Sequence, residues 1–310
     1  MARYILQRLG YMIITLFIIA TVSFFLMKLM PGSPLGAAQE KLSESQLEIV
    51  LDKYGLNDPI PVQYYTYMKN LVQGDLGVSF QFDNREVTGI LLDRFGPSLQ
   101  LGLQALILGS VIGILFGLIA AVYHNGVIDF TSTIIAVLGT SIPSFVFAGL
   151  LQYYIGVKLE WLPVATWDGF EYSILPTIAL AIFPLATSAR FMRTEMVEVL
   201  GSDFITTARA KGVGKFGVVF KHGLRNALIP LITIMGPMAV SLLTGTLVIE
   251  KIFGVPGIGD QFVNSITQND YPIIMGTTLF FAFFFILVIL IIDILYGIVD
   301  PRIRLTGGDK

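Results

Sequence analysis

The sequence lacks cysteine altogether and is poor in charge and in histidine: of its 310 residues, 14% are charged and two are histidines. Without cysteine, disulfide frameworks, thiolate metal sites and cysteine nucleophiles are excluded. His124 and His222 alone do not supply a histidine-based metal cluster. Because an ordinary soluble domain has about 25% charged residues, the deficit excludes a soluble globular protein. The 54% of hydrophobic residues equally excludes a disordered chain.

An excess of charge of one sign is also missing. Lys and Arg number 20 and Asp and Glu 22, which gives a net charge of −2. An overall basic excess that would attract nucleic acid is therefore absent. We expect no nucleic-acid partner.

Long apolar runs are what the sequence has instead. A helix needs about 20 apolar residues to cross the hydrocarbon core of a bilayer, where only a helix or a closed barrel satisfies its own backbone groups. Six runs without Asp, Glu, Lys or Arg are long enough: residues 9–27, 95–123, 130–157, 172–189, 226–249 and 271–292. These runs predict an all-α integral membrane protein with six transmembrane helices.

The first run admits a second interpretation, a secretory signal, because Arg3 and Arg8 precede it. Its apolar stretch is longer than the roughly 7–15 residues of a signal core, and it continues to Lys28. We therefore expect an uncleaved first span.

The distribution of Lys and Arg predicts the orientation, because cytoplasmic segments keep these residues. With the N-terminus inside, the cytoplasmic segments are residues 1–8, 123–129, 190–225 and 293–310, which carry 12 basic and 7 acidic residues. The remainder carries 8 basic and 15 acidic residues, so the two sides differ as +5 and −7. Both termini are therefore expected in the cytoplasm. The short loop 123–129 is the exception, because it has no Lys or Arg.

The outer segment, residues 31–94, is too long to be a simple connection. It contains a predicted helix over residues 45–54, which Gly55 ends. This segment is either a small folded cap or a docking surface for an external partner. The expected organisation is residues 1–30 (N-terminus and first span), the outer segment, residues 95–292 (core with the remaining spans) and residues 293–310 (cytoplasmic C-terminus).

The inner segment, residues 190–225, has seven basic and three acidic residues and a second short predicted helix. Ser202 is the expected N-cap with Asp203 in the first turn, Arg209 and Lys211 lie in the last turn, and Gly212 takes the position after the C-cap. Such a helix either rests on lipid head groups or fits a groove on a cytoplasmic partner.

Two stretches of this inner segment carry a family resemblance. Residues 203–212 (DFITTARAKG) and 221–230 (KHGLRNALIP) resemble the EAA coupling loop of bacterial ABC-transporter permeases of the dipeptide and oligopeptide type. More stretches agree in the same order along the chain: 30–34 (MPGSP), 54–59 (YGLNDP), 74–79 (GDLGVS), 253–257 (FGVPG), 269–272 (NDYP) and 300–304 (DPRIR). The chain is most similar to the first of the two permease subunits, the one with the long outer segment. Thr206 departs from the family pattern, which has Glu there, whereas Ala208 and Gly212 match it.

The resemblance implies an ABC type I permease fold and half of the translocation pore of an ATP-driven importer that works by alternating access. The implied partners are a paralogous second permease, two cytoplasmic ATPases and an extracytoplasmic substrate-binding protein, in the bacterial inner membrane. The implied cargo is a dipeptide or an oligopeptide, with nickel complexes and oligosaccharides as alternatives. The implied ATPase-coupling residues are Asp203, Thr207, Ala208, Arg209, Ala210, Lys211 and Gly212.

ATP chemistry is not expected in this chain. The closest stretch to a phosphate-binding loop, residues 212–217 (GVGKFG), has neither the spacing nor the hydroxyl residue of that motif. ATP and Mg²⁺ are expected on the partner ATPases, so this chain has no cofactor of its own. A membrane enzyme and an ion channel are less favoured, because neither histidine has the companions of a hydrolase and no ring of charge is visible.

Glycine and proline mark the apolar runs. Gly109, Gly113 and Gly117 recur every four residues, so one helix face is expected to approach a neighbour closely. Four prolines are expected to interrupt spans, namely Pro143, Pro176, Pro184 and Pro237. The Gly- and Pro-rich stretch 250–271 is expected to be a loop or re-entrant turn on the outer side.

Polar residues inside the runs are candidates for a substrate path. They are Gln104, Thr140, Ser141, Ser144 and Gln152. Each can equally form a hydrogen bond to a neighbouring helix.

Overall fold

The computed structural model of the chain describes residues 2–31, 43–243 and 246–299. They are almost entirely helical, which confirms the all-α prediction. The chain divides into two compact units, the first from residues 1–96 and 256–286 and the second from residues 97–255 and 287–310. The predicted cytoplasmic C-terminus and the stretches 30–34 and 300–304 lie wholly or partly outside the described residues.

The first unit contains α1 (Ala2–Leu29), α2 (Glu44–Lys53), α3 (Ile60–Val72), α11 (Ile258–Thr267) and the first parts of α4 (Val87–Val122) and α12 (Tyr271–Val299). Its buried core consists of Val87, Ile90, Leu91, Ile258 and Ile273. The predicted helix of the outer segment is α2: Ser43 and Gln46 form a capping box at its start, and Gly55 follows its C-cap with φ +63°.

The second unit contains the rest of α4, then α5 (Val127–Ser141) and α6 (Ser144–Leu151), which continues as a π-helical segment, Gln152–Lys158. α7 (Phe170–Leu200) and α8 (Asp203–Ala210) follow. A second π-helical segment, Gly217–Leu224, leads into α9 (Arg225–Leu243). α10 (Leu247–Phe253) is the last helix before this part of the unit ends at residue 255. α7 supplies much of the core, including Leu175, Ala179, Leu180, Met192 and Met196.

Within the described residues, five helical stretches are long and apolar enough to cross a membrane: Leu6–Leu29, Val87–Val122, Phe170–Leu200, Gly217–Leu243 and Tyr271–Ile291. The third predicted run is different, because α5 and α6 are bent by 100° at a short break. The pair counts as a sixth span only if both halves together cross the membrane. The break lies at Pro143, which was expected to interrupt this run.

The glycine stripe of α4 packs directly on α7, as predicted. A methyl group added at Gly109, Gly113 or Gly117 would overlap the backbone carbonyl oxygens of Ala181, Leu185 and Ala189, respectively. These three acceptors are spaced by four residues along α7, in register with the glycines. Only glycine allows two helix backbones to approach this closely.

Three of the four predicted proline interruptions were wrong. Pro176 and Pro184 lie within the continuous helix α7, and Pro237 lies within α9, so only Pro143 marks a break. The stretch 250–271 is not a loop throughout, because it holds the end of α10 and all of α11, but a tight turn does lie at residues 254–257. Gly254 links these helices through a left-handed backbone, with φ +64°.

Candidate functional site

The predicted coupling helix is α8, and its start differs from the expectation in one detail. Ser202 has the extended backbone of an N-cap, with φ −78° and ψ 156°. Its hydroxyl, however, donates to Val199 O at 2.6 Å instead of accepting from the first turn of α8. Asp203 in the first turn supplies the negative charge that favours a helix N-terminus.

The end of α8 is a complete Schellman motif. Gly212 has φ +81° and donates its N–H to Arg209 O at 3.0 Å, while Val213 donates to Ala208 O at 3.1 Å. Lys211 is the C-cap residue, one position beyond the last turn. No atom lies within 4 Å of a Cβ added at Gly212, so this position requires glycine for its backbone conformation and not for space.

One face of α8 is buried, and the other is open. Ile205 and Ala208 are 0% and 8% exposed and hold the helix on its own chain. The remaining predicted coupling residues are exposed, namely Asp203, Thr207, Arg209, Ala210, Lys211 and Gly212. Ala208 therefore packs inside this chain, whereas the other six residues form an outward surface, which we call the α8 face.

The predicted path residues fall into two groups. Thr177 Oγ1 donates to Gln104 Oε1 at 2.8 Å, so Gln104 links α4 to α7. Gln152 Nε2 donates to Val164 O at 2.8 Å and to Ile252 O at 3.1 Å, which fixes the direction of α6. Both glutamines thus have partners within the second unit.

The three hydroxyl residues of that prediction meet at the α5–α6 break. Thr140, Ser141 and Ser144 are exposed on both sides of Pro143. Thr140 Oγ1 bonds to backbone carbonyls of its own helix, at Ala136 and Val137. We call these three residues the hydroxyl corner.

Sequence reasoning missed an ionic cluster that joins α5 to α7. Asp129 is 3% exposed, and both of its carboxylate oxygens accept hydrogen bonds from Arg193, with Nη2 2.8 Å from Oδ2. The backbone N–H of Asn125 donates to the same Oδ2 at 2.9 Å, and His124 Nδ1 lies 3.2 Å away. The absence of Lys and Arg from loop 123–129 was a usable signal, because its lone carboxylate obtains its cation from the next inner segment.

Sequence reasoning also missed a contact in the first unit, between two of the stretches that carry the family resemblance, 74–79 and 269–272. Ser79 Oγ donates to the buried carboxylate of Asp270, and the backbone N–H groups of Phe80 and Gln81 donate to it at 3.4 and 3.3 Å. Burial raises the pKa of Asp270, although these three hydrogen bonds oppose that rise. The stretches 74–79 and 269–272 are thus halves of one structural contact.

A third buried carboxylate, Glu250, is 1% exposed and accepts a hydrogen bond from Ser98 Oγ at 2.7 Å. Over residues 2–31, 43–243 and 246–299, no three His, Asp or Glu side chains come close enough together to hold a metal ion. Asp129 and Glu250 each accept a hydrogen bond from another helix, and Asp270 joins the segment between α3 and α4 to the start of α12.

Comparison with known proteins agrees with this architecture. The family described as "Binding-protein-dependent transport system inner membrane component" matches residues 113–305, and the N-terminal component of the same systems matches residues 1–102. A chain of the MetNI methionine ABC transporter has a similar fold, with a TM-score of 0.59 and 17% identity, over 69% of this chain and 97% of that one.

Curated relatives match almost end to end. The dipeptide transport system permease protein DppB of Lactococcus lactis is 48% identical over 98% of this chain and 100% of that protein. DppB of Bacillus subtilis is 44% identical over 98% and 99%. The oligopeptide transport system permease protein OppB of Salmonella typhimurium is 42% identical over 98% and 100%. With helices of membrane-spanning length and the permease fold, this multi-pass membrane protein belongs to the family of binding-protein-dependent transport system inner membrane components.

Proposed function

We propose that this chain is a permease subunit of an ATP-driven importer of dipeptides or oligopeptides, and that it forms half of the translocation pathway. The observation that carries the proposal is identity of 42–48% over 98% of the chain to proteins named as dipeptide and oligopeptide permeases. These names favour peptides over the nickel complexes and oligosaccharides that the resemblance alone leaves open.

The α8 face is the proposed contact with a cytoplasmic ATPase. Its Schellman end holds a short helix in one shape, while Ile205 and Ala208 attach that helix to the rest of the chain. In the described part of the chain, neither Arg209 nor Lys211 forms an ion pair, so both can pair with acidic groups on a partner. ATP and Mg²⁺ belong to that partner, and this chain contributes no catalytic group.

The hydroxyl corner is the proposed contribution to the peptide path. A peptide needs hydrogen-bonding groups wherever it leaves water. Exposed hydroxyls and backbone groups freed at a helix break supply them, and such breaks are tolerated in membranes where they line a cavity. A paralogous second permease would supply the opposite wall.

The charge distribution supports the proposed orientation in a bacterial inner membrane. Loop 123–129 and residue 193, which the Lys and Arg pattern assigns to the same side, meet in the Asp129–Arg193 ion pair. Both termini would then be cytoplasmic. The outer segment would face an extracytoplasmic substrate-binding protein.

Reconstitution of the complete transporter tests the function. The chain, its partner permease, both ATPases and the binding protein are placed in proteoliposomes, and uptake of a labelled dipeptide and a labelled pentapeptide is measured with and without ATP. We expect ATP-dependent accumulation of at least one peptide. Accumulation of a nickel complex or an oligosaccharide with neither peptide taken up would refute the peptide assignment.

The same preparation tests the α8 face through Gly212→Val. At φ +81°, valine is strained by at least the roughly 1–2 kcal/mol per residue of left-handed backbone. The Schellman end should therefore open, and peptide uptake should fall about tenfold or more while the ATPases remain assembled. Gly214→Val is the matched control. Gly214 does not have a left-handed φ, and a Cβ added there would meet no atom within 4 Å. Wild-type uptake by Gly212→Val would show that the shape of α8 does not matter for coupling.

A further inference from the structure

The first unit contains a cavity of about 180 Å³ beside the C-terminal end of α1. Its walls come from α1, α3, the turn between α2 and α3, and the start of α12, and aromatic and aliphatic side chains form most of them. Pockets that enclose a whole drug-sized ligand measure about 300–1,000 Å³. The cavity is therefore large enough for only a part of a ligand, with the remainder outside.

The cavity has a cation with unused hydrogen-bonding capacity. Lys28 Nζ donates to Gln63 Oε1, and Gln63 is itself held by Nε2 donating to Leu56 O at 3.0 Å and Asp58 O at 2.7 Å. An ammonium group has three donors. Besides Gln63, Nζ faces the Phe24 ring, whose centroid is 5.5 Å away, so hydrogen-bonding capacity remains for a ligand. Among the residues that the structure describes, Lys28 has no carboxylate within ion-pair distance.

A second donor in the cavity wall has no partner. The Tyr67 hydroxyl is buried and, among the described residues, forms no hydrogen bond. Burial, with a smaller contribution from Tyr64, raises the pKa of Tyr67 to about 12, so the phenol keeps its proton and stays a donor. A buried polar group without a partner destabilises the folded protein. An oxygen-bearing ligand would remove this cost.

The surface below the cavity is apolar and open. α1 is the least buried of the membrane-spanning helices, and its exposed side chains lead away from Lys28 toward the other end of the helix: Leu26, Phe25, Val22 and Ile18. Lysine at the end of a spanning helix lies at the level of the lipid head groups. The cavity therefore opens where a phosphate and the acyl chains attached to it would both be accommodated.

Asp58 adds a negative group to the wall of the same cavity. The Asp58 carboxylate would repel a head group that carries only negative charge. A zwitterionic head group can instead place its phosphate near Lys28 and its ammonium near Asp58. Among common membrane lipids, phosphatidylethanolamine has this pattern and also has N–H donors for the carboxylate.

We propose that this cavity binds the head group of one phosphatidylethanolamine molecule, with Lys28 and Tyr67 as donors to phosphate or ester oxygens and the acyl chains along α1. A free peptide is the alternative occupant, because it also carries an ammonium and a carboxylate. The small volume and the continuous apolar face of α1 favour the lipid. The proposal depends on insertion in a membrane and not on the peptide cargo.

Native mass spectrometry of the complete transporter tests the proposal. The delipidated complex is titrated with short-chain phosphatidylethanolamine, phosphatidylglycerol, glycerophosphoethanolamine and a tripeptide. We expect one tightly bound phosphatidylethanolamine, with affinity about tenfold lower in Lys28→Gln, since hydrogen bonds to charged groups contribute about 1.5–3 kcal/mol. Tyr67→Phe should weaken binding severalfold, and Asp58→Asn should reduce the preference over phosphatidylglycerol.

Matched controls lie on α3, the helix that carries Tyr67. Lys69→Gln and Tyr65→Phe remove the same groups from exposed positions outside the cavity, so both should bind the lipid as the wild type does. Equal lipid affinity in Lys28→Gln and Lys69→Gln would overturn the proposal. It also fails if the soluble head-group compound binds as tightly as the lipid, or if the tripeptide displaces the lipid.

Discussion

α7 and the α5–α6 pair both contain proline within an apolar run, yet one remains a single helix and the other turns by 100°. α7 has two internal prolines, Pro176 and Pro184, and stays helical over 31 residues. α5 and α6 are separated at one proline, Pro143, where the preceding Ile142 is extended, with φ −81° and ψ 122°. The number of prolines therefore does not determine the outcome.

Packing accounts for the difference. Pro176 and Pro184 are both buried. Pro184 lies against Gly109, where the glycine stripe of α4 packs on α7, a contact that we call the glycine seam. An internal proline costs about 3 kcal/mol or more, and contacts along both sides of α7 offset that cost. α5 has only Asp129 and Ala136 buried, and α6 only Ala148. Few buried side chains hold α5 and α6 in one straight helix, so the chain can turn at Pro143. The bonds from Gln152 to Val164 O and Ile252 O then hold α6 in its direction.

The contact that ties α5 to α7 should give the largest effect. Arg193→Gln leaves the Asp129 carboxylate buried without its cation, which costs about 3–5 kcal/mol for a fully buried pair. Because 29% of the Arg193 side chain is exposed, we expect a loss of about 3 kcal/mol. Thermal unfolding of the solubilised chain, followed by size-exclusion chromatography, measures it.

Two variants separate this pair from a general effect of charge. Arg190→Gln removes an exposed cation one turn earlier on α7 and should change stability little. Asp129→Asn combined with Arg193→Gln removes both charges and should recover part of the loss. If Arg193→Gln and Arg190→Gln unfold at the same temperature, the ion pair does not hold α5 on α7.

The glycine seam and the α5–α6 pair should respond to the same substitution with opposite signs. Gly113→Ala places a methyl group against the carbonyl of Leu185, and such overpacking costs about 1–3 kcal/mol. Gly149→Ala, in α6, meets nothing within 4 Å and should stabilise its helix by about 0.5–1 kcal/mol. Thermal unfolding of the two variants compares them directly. Stabilisation by Gly113→Ala would mean that α4 and α7 are not in close contact.

Local signals in the sequence predicted the features that depend on a few neighbouring residues. The bounds of α8 followed from Asp203 at its start and Gly212 after its end, and the seam followed from three glycines at a spacing of four. Both predictions succeeded because backbone conformation and helix periodicity fix them within one segment.

Features that depend on distant partners were not predictable in this way. Asp129 and Arg193 are 64 positions apart, and Ser79 and Asp270 are 191 apart, so no local pattern joins them. The burial of Ala208 follows from tertiary packing, and a match to a family motif carries no information about it. Counting charges located the third run and Pro143 marked its break. The same reasoning wrongly placed breaks at Pro176 and Pro184, because a sequence pattern does not show whether a proline has buried neighbours.

The direction of α6 gives the smallest expected effect and the most direct test of packing against proline. If packing alone holds the turn, Pro143→Ala should leave it in place, because Gln152 still donates to Val164 O and Ile252 O and Ala148 remains buried. The change in stability should stay below about 1 kcal/mol. As the chain has no cysteine, spin labels at Val137→Cys and Tyr153→Cys, both at exposed positions, report the angle without background. An unchanged separation supports packing as the cause, whereas lengthening to about 24 Å, the span of a straight helix over 16 residues, would assign the turn to Pro143.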